Sequence, residues 1–422
     1  MLADQYWIKL AKEMNTEWEQ SEWEGREVAH LKNLCAEVAA HGNEEIAAQV
    51  YLLLEKAPMR KDYPFVEPSC YEGIQKELPA GAKTYAAPVM GDGVKEKLKG
   101  AWLGRIAGCL LGKPVEGWRR DKFWPLLKEQ GNYPMTKYIG EFNKDLVQGA
   151  APVDDDTNYT VFTMKMMEKY GRDFKPDDVL EAWMKWIPYI ATCTAERVAY
   201  RNAAMGMLPP ETATHKNPYR EWIGAQIRGD FFGYVNMGNP KKAAEMAWRD
   251  AYISHVKNGI YGEMFIAAMH AVAAVCDDIV EVVQAGLNEI PEKCRLRRDI
   301  DLVLEWYKNG VSEDDVIEKI HETYSEHSAN GWCYTNSNAM IVVFALLYGK
   351  KDFGKTICLS VQAAFDTDCN GATAGSILGI MVGAGAIDAY WTDAFHCKLL
   401  TSVEGYNLVT VDDLVAKTVE LL

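Results

Sequence analysis

The feature that most constrains this chain is a pair of glycine ladders. Residues 365–387 read FDTDCNGATAGSILGIMVGAGAI, with glycines at Gly371, Gly375, Gly379 and Gly383. Residues 99–112 read KGAWLGRIAGCLLG, with Gly100, Gly104, Gly108 and Gly112. Positions four apart share one face of a helix. Each stretch therefore predicts a helix with a bare ridge. A glycine inside a helix costs about 1 kcal/mol relative to alanine. Such a ridge is sustained where another backbone packs very close, so the two helices are expected to meet in the core.

Helical periodicity dominates from Val94 onward, strict two-residue alternation is rare, and no regular strand–helix repeat is found. The expected fold class is all-α. The run IVVFALLY (341–348) has the length of a buried strand, but its Ala/Met/Leu-rich context suits a buried helix. Residues 1–95 are expected to form an N-terminal helical extension, with Trp7, Trp18 and Trp23 among many acids, ending in a Gly/Pro-rich linker. Residues 96–392 form the expected main domain, and 393–422 a C-terminal tail with a helix. The charged, amphipathic stretch 299–327 predicts an outer helix pair.

The chain has 422 residues, 48% of them hydrophobic, enough for one large core or two smaller ones. Its formal charge of −15 argues against nucleic acid or an anionic membrane as a partner of the whole surface. Ten cysteines without a CxxC pair or zinc spacing suit a reducing compartment. With no signal-like N-terminus and no apolar run of about 20 residues, a soluble cytoplasmic protein is expected.

The chemistry concentrates in two acidic clusters. Asp154, Asp155, Asp156 and Thr157 open a helical stretch that ends at Gly171. One Asp suffices to cap a helix. Three adjacent carboxylates repel one another and favour a cation over a cap. Asp366 and Asp368 open the second cluster, and the shortage of nearby His or thiolate ligands favours hard cations. DTDCNG matches the start of an EF-hand loop, but Ile377 stands where the closing Glu belongs. DDDTN lacks the last Asp of a DDxxD motif. Taken together, five aspartates fit two metal ions with bridging carboxylates better than one. Glu116, taken alone, reads as a solvated loop carboxylate. The Gly- and aromatic-rich loop 224–240 would suit a flat ring stacked on Phe231, Phe232 or Tyr234, or these rings are simply core. His255, alone near an apolar helix, reads as a structural hydrogen-bonder.

These residues resemble the ADP-ribosylglycohydrolases, including the dinitrogenase-reductase-activating glycohydrolases. The similarity runs from about Lys97 to Tyr390. It is carried by GAWLGRIAGCLLGKPVEGW, DDDTNYT, the pair Ser254–His255 and FDTDCNGATAGSILG. The resemblance implies a compact orthogonal multi-helix fold, two Mg²⁺ or Mn²⁺ ions, and hydrolysis of the bond between ADP-ribose and an arginine or serine side chain. By position, Asp155 and Asp156 match the aspartates of a T-D-D-T motif, with Asp154 at its first Thr. Asp366 and Asp368 match D-x-D-T ligands, with Cys369 at the Thr. Glu116 matches a glutamate that approaches the metals, and His255 a residue just outside them. Cys109 stands where an Asp is usual. RNAAMGM replaces G-N-G-S/A-x-M-R, so Ala203 and Ala204 take the places of small residues that admit a diphosphate.

The expectation is a dimetal N- or O-ribosyl glycohydrolase in which Asp155 or Asp368 helps activate water, with Glu116 beside them. Asp154, Asp155, Asp156, Asp366 and Asp368 would hold the metals. Asn202, Phe231, Phe232, Tyr234 and His255 would line the substrate pocket. The substrate would be an ADP-ribosylated protein or, at least as readily, a small ribosyl compound. The alternative is a metal-dependent binding module for ADP-ribose or a nucleotide, without turnover.

Overall fold

The computed structural model describes residues 6–140, Asn143 and 146–422. The fold is all-α. Among the described residues, sheet is confined to a hairpin of Lys398–Leu400 and Leu408–Thr410, antiparallel with Lys398 opposite Thr410. No described helix is long and apolar enough to cross a membrane.

Both glycine ladders are helical, at Asp92–Gly112 and Thr367–Val382, and they pack directly on each other. A Cβ on Gly100 would fall on the Gly379 carbonyl, one on Gly104 on that of Gly375, and one on Gly108 on that of Gly371. The contact is therefore backbone on backbone, closer than the usual 8–10 Å between helix axes allows with side chains present. The expected ladder differs at one end. Gly383 lies past the second helix and caps it at φ 82°, a conformation that favours glycine. The last step pairs Gly112 with the Thr367–Asp368 peptide instead.

Other faces of the same helices carry the apolar core. Trp102 packs against Phe231 and Tyr234 and donates its indole N–H to Thr418 Oγ1 at 3.2 Å. Thr418 belongs to the C-terminal helix Val411–Glu420, and Phe395, Leu399, Val403, Val409, Val411 and Leu414 share the main core. Residues 341–348 lie in the wholly buried helix Thr335–Gly349. Helices Arg295–Lys308 and Glu313–Thr323 keep a charged outer face, as their pattern predicts.

The N-terminal extension has a small core of its own, built on Met14, Val28, Cys35, Val50 and Leu54. Its helix Met14–Trp23 is fastened to the main domain by buried polar contacts. Arg220 meets Glu17 at 2.8 Å and Glu24 at 2.6 Å. Gln20 donates to Glu221 at 2.9 Å, and Asn330 donates to the Thr16 carbonyl at 2.9 Å.

Replacing Gly108 or Gly379 with Leu should lower the thermal midpoint although Leu is the better helix former. Overpacking typically costs about 1–3 kcal/mol, and more where backbone must move. A variant as stable as the parent in a thermal melt would refute the close crossing.

Candidate metal centre and substrate pocket

The two acidic clusters sit at helix starts, and at the first of them an aspartate caps the helix. Asp154 precedes the helix Asp155–Tyr170 and its side chain accepts from the Asp156 amide at 2.9 Å. Asp366 precedes Thr367–Val382. The glycine crossing brings these two starts together with the end of Asp92–Gly112, where Thr367 Oγ1 donates to the Gly112 carbonyl at 2.9 Å. Three short pieces of chain thus converge, and with them Asp154, Asp156, Asp366 and Asp368, all buried, plus Asp155 and Glu116, which stay partly open.

The surrounding residues hold these carboxylates in place. Fully buried Arg105 donates through Nε to the Asp156 carbonyl at 2.8 Å and through Nη1 to Asp230 at 2.8 Å. Asn338 Oδ1 accepts from the Asp366 amide at 3.1 Å and from Asn370 at 2.8 Å. The Cys333 thiol donates to Asp366 at 3.1 Å. Lys113 Nζ lies 2.7 Å from Asp154.

Burial pushes the carboxyls up. Asp155 rises from the ordinary carboxylate range to about 8, through burial and then the neighbouring Asp154. Burial also raises Asp156 and Asp368 strongly, and Asp366 less. So many negative charges resist ionisation together without a cation among them.

The donor set fits a hard divalent cation. Ligand atoms of Asp156, Asp368 and Cys369 lie within 4.8 Å of one another, as do those of Glu116, Asp366 and Asp368, and of Cys109, Asp154 and Asp156. Asp156 Oδ2 is buried with no hydrogen-bond partner. Burial holds the Cys109 and Cys369 thiols well above the ordinary thiol range. Thiols are poor ligands for a hard ion, so the carboxylate oxygens are the fitting donors, which suits Mg²⁺ or Mn²⁺.

A cavity of about 350 Å³ opens over this centre. Glu116, Asp155, Asp366 and Asp368 lie on one side. Tyr219, Trp222 and Trp332 supply aromatic wall, and Glu196 another carboxylate. Trp7, Glu13 and Thr16 of the N-terminal extension complete the lining. Among the described residues, the lining contains no Lys or Arg. A larger cavity of about 730 Å³ lies beside Tyr138 and Tyr390, with no carboxylate among the described residues of its lining.

Five residues expected in the pocket are elsewhere. Phe231, Phe232 and Tyr234 form a short helix, Asp230–Tyr234, whose rings are completely buried. Phe232 stacks on Phe174 with centroids 5.7 Å apart, and the Tyr234 hydroxyl meets Ser376 at 2.5 Å. A Gly/aromatic run reads as a ligand loop only while its neighbours are unknown; here helices cover both sides. Asn202 is buried, bonding the carbonyls of Thr212 and His215 at 2.9 and 2.8 Å. His255 is buried with Nδ1 2.8 Å from Ser254 Oγ, and burial followed by Arg228 keeps it neutral. That agrees with the structural reading of His255 and not with a substrate contact.

The pocket residues missed from the sequence are Trp7, Glu13, Thr16, Glu196, Tyr219, Trp222 and Trp332. No local spacing marks them. The clustered tryptophans of residues 1–23 were the available signal, without a hint of their destination.

The family model for ADP-ribosylglycohydrolase matches residues 90–419. No curated protein sequence matches the chain. Among solved structures, an ADP-ribosylglycohydrolase-related protein complex is 19% identical, covers 78% of this chain and 98% of its own, and has a TM-score of 0.49.

Substituting Asp156→Asn or Asp368→Asn should each abolish the rise in thermal midpoint that Mg²⁺ or Mn²⁺ produces by binding the native state. An unchanged metal titration in either variant would break the shared centre. The metal-free protein should also lose stability with rising pH. Asp155 binds its proton more tightly folded (about 8) than unfolded (3.8), so stability falls across that window. Thermal melts at pH 5 and pH 8 check this, with added Mn²⁺ stabilising more at pH 8.

Proposed function

Because the chain belongs to the ADP-ribosylglycohydrolase family, we propose that it is a metal-dependent glycohydrolase whose centre takes two Mg²⁺ or Mn²⁺ ions and which cleaves the N- or O-glycosidic bond of a small ribosyl substrate. The observation that carries the substrate reading is the pocket lining: among the described residues it holds carboxylates and aromatic rings and no Lys or Arg, and the Lys113 ammonium beside it is tied to Asp154, Glu116 and Asp368. Phosphates are normally held by Arg, Lys or free helix-start amides. The three arginines nearest in sequence are committed elsewhere. Arg228 is fully buried among Asp250, Glu196 and Glu263. Arg197 bonds backbone carbonyls and lies over the Trp7 ring at 4.5 Å. Arg201 bonds Asn202 and the Ile8 carbonyl. One helix start, Thr194, borders the cavity, with the Glu196 carboxyl of its first turn paired to Arg228 at 2.7 Å. A diphosphate therefore finds no Lys or Arg among the described lining residues, and a neutral or cationic riboside needs none.

A divalent ion bound at the carboxylates would supply Lewis acidity and lower the pKa of a bound water. The protein's own part is orientation and charge. Asp155 lines the cavity and lies outside the clustered ligand groups, so it suits the general base better than Asp368, which belongs to two of them. Positive charge develops at the anomeric carbon as the glycosidic bond breaks. Glu116 and Asp366 stand along the same wall, where the negative charge left by their bound cations lowers the energy of that state. Tyr219, Trp222 and Trp332 offer flat faces to the ribose or its aglycone. The volume of about 350 Å³ lies at the small end of ligand pockets, which again favours a compact substrate over a protein side chain carrying ADP-ribose. All ten cysteines are free, which supports action in a reducing compartment such as the cytoplasm.

Steady-state kinetics at equal Mn²⁺ test the reading. Small ribosides should be cleaved with kcat/KM at least equal to that for ADP-ribosyl-arginine. A strong preference for ADP-ribosyl-arginine, with free ADP-ribose a tight competitive inhibitor, would overturn the small-substrate reading. Tight binding without turnover of either class would make the protein a binding module instead.

A further inference from the structure

Lys113 is the first residue after the first glycine helix. Gly112 before it has no side chain, and its backbone presses on the Thr367–Asp368 peptide. The lysine Cα is therefore held against the acidic loop by main-chain contact, whatever its side chain does. From there the ammonium reaches all three converging pieces of chain. It lies 2.7 Å from Asp154 Oδ2, 2.8 Å from Glu116 Oε2 and 3.4 Å from Asp368 Oδ2. Burial works against its charge, but Asp154, Asp368 and Glu116 more than offset this and hold it firmly protonated.

Two of those carboxylates, Glu116 and Asp368, belong to the Glu116, Asp366 and Asp368 ligand group. The ammonium thus contacts two of that group's three members. It shares only Asp368 with the group of Asp156, Asp368 and Cys369, where the unpartnered buried oxygen Asp156 Oδ2 lies. An ammonium and a divalent ion cannot share the same oxygen lone pairs, and like charges a few ångströms apart in a buried site repel strongly. The Lys113 side chain is 27% exposed, so it has an outward path.

Resting on the reading of these carboxylates as a metal centre, we propose that Lys113 is a built-in cation occupying the Glu116, Asp366 and Asp368 position. A first divalent ion then loads beside Asp156 and Asp368, and a second enters only by displacing the ammonium outward. Lys113 is in this sense a positioning residue that stages metal loading. The same ammonium forms an ion pair with Asp154 Oδ2 at 2.7 Å.

The test uses the metal-free full-length chain and Mn²⁺ alone, so no outcome depends on turnover. Calorimetry gives the stoichiometry, and electron paramagnetic resonance reports whether bound ions are paired. The parent should bind one Mn²⁺ tightly, with an uncoupled spectrum, and a second at least about tenfold more weakly. Lys113→Met should tighten that second step about tenfold or more and bring a coupled spectrum at lower Mn²⁺. Lys113→Arg should keep the staged behaviour. An ordinary structural ion pair predicts something different: Lys113→Met would only lower metal-free stability, with isotherms matching the parent. Coincident isotherms, weaker metal binding by Lys113→Met, or a coupled spectrum in the parent from the first equivalent would each overturn the proposal. If Lys113→Met does not fold, the parent and Lys113→Arg titrations still decide it.

Discussion

The contact on which the rest of the structure depends is the backbone-on-backbone crossing of Asp92–Gly112 with Thr367–Val382. Each bare position on one helix faces a carbonyl of the other. Glycine is costly inside a helix, and the cost is recovered through a separation that no side chain permits. Such an approach also leaves little freedom to slide, because any shift along the ladder drives a Cβ-bearing residue into main chain. Register is therefore set within a fraction of a helical turn. Its last step places Gly112 against Thr367 and so fixes where Asp366, Asp368 and Lys113 stand relative to one another.

Around this crossing the protein buries charge on a scale that demands pairing. Arg105 joins Asp156 to Asp230, and Arg228 joins Glu196, Asp250 and Glu263. Arg295 joins Glu67 and Glu221, and Arg220 joins Glu17 and Glu24. Buried ion pairs contribute little net stability, but breaking one is severe. Their effect here is to hold elements in one arrangement. Arg220 and its two glutamates fix the N-terminal helix, and that helix carries Glu13 and Thr16 to the pocket. The carboxylates at the centre of the molecule differ from these networks. They outnumber the nearby basic groups, and that imbalance, rather than the presence of acid residues, marks the site.

Legibility from the sequence followed the range of the physics. Asp154 to Asp156 and Asp366 to Asp368 were readable because repulsion between adjacent carboxylates is a local fact. Glu116 was readable only through resemblance, since nothing near it in sequence explains its direction. Phe231, Phe232 and Tyr234 were assigned to a pocket and lie in the core. An aromatic run has the same composition in either place, and only packing against Trp102 and Phe174 distinguishes them. Trp7, Glu13 and Thr16 went unassigned because their role arises from a docking more than 190 residues away in sequence, between Glu17 and Arg220.

By itself the sequence determined the helices, the two ridges, the stop at Gly171, and the clustering of negative charge. These follow from spacing and from interactions within a few residues. Tertiary structure alone decided which carboxylates face one another, that Lys113 stands among them, and that the extension walls the cavity. It also decided that Arg228 is spent on Glu196, Asp250 and Glu263. The reason is geometric. A side chain's neighbours within a turn are set by periodicity, but its neighbours across the core depend on how distant helices meet.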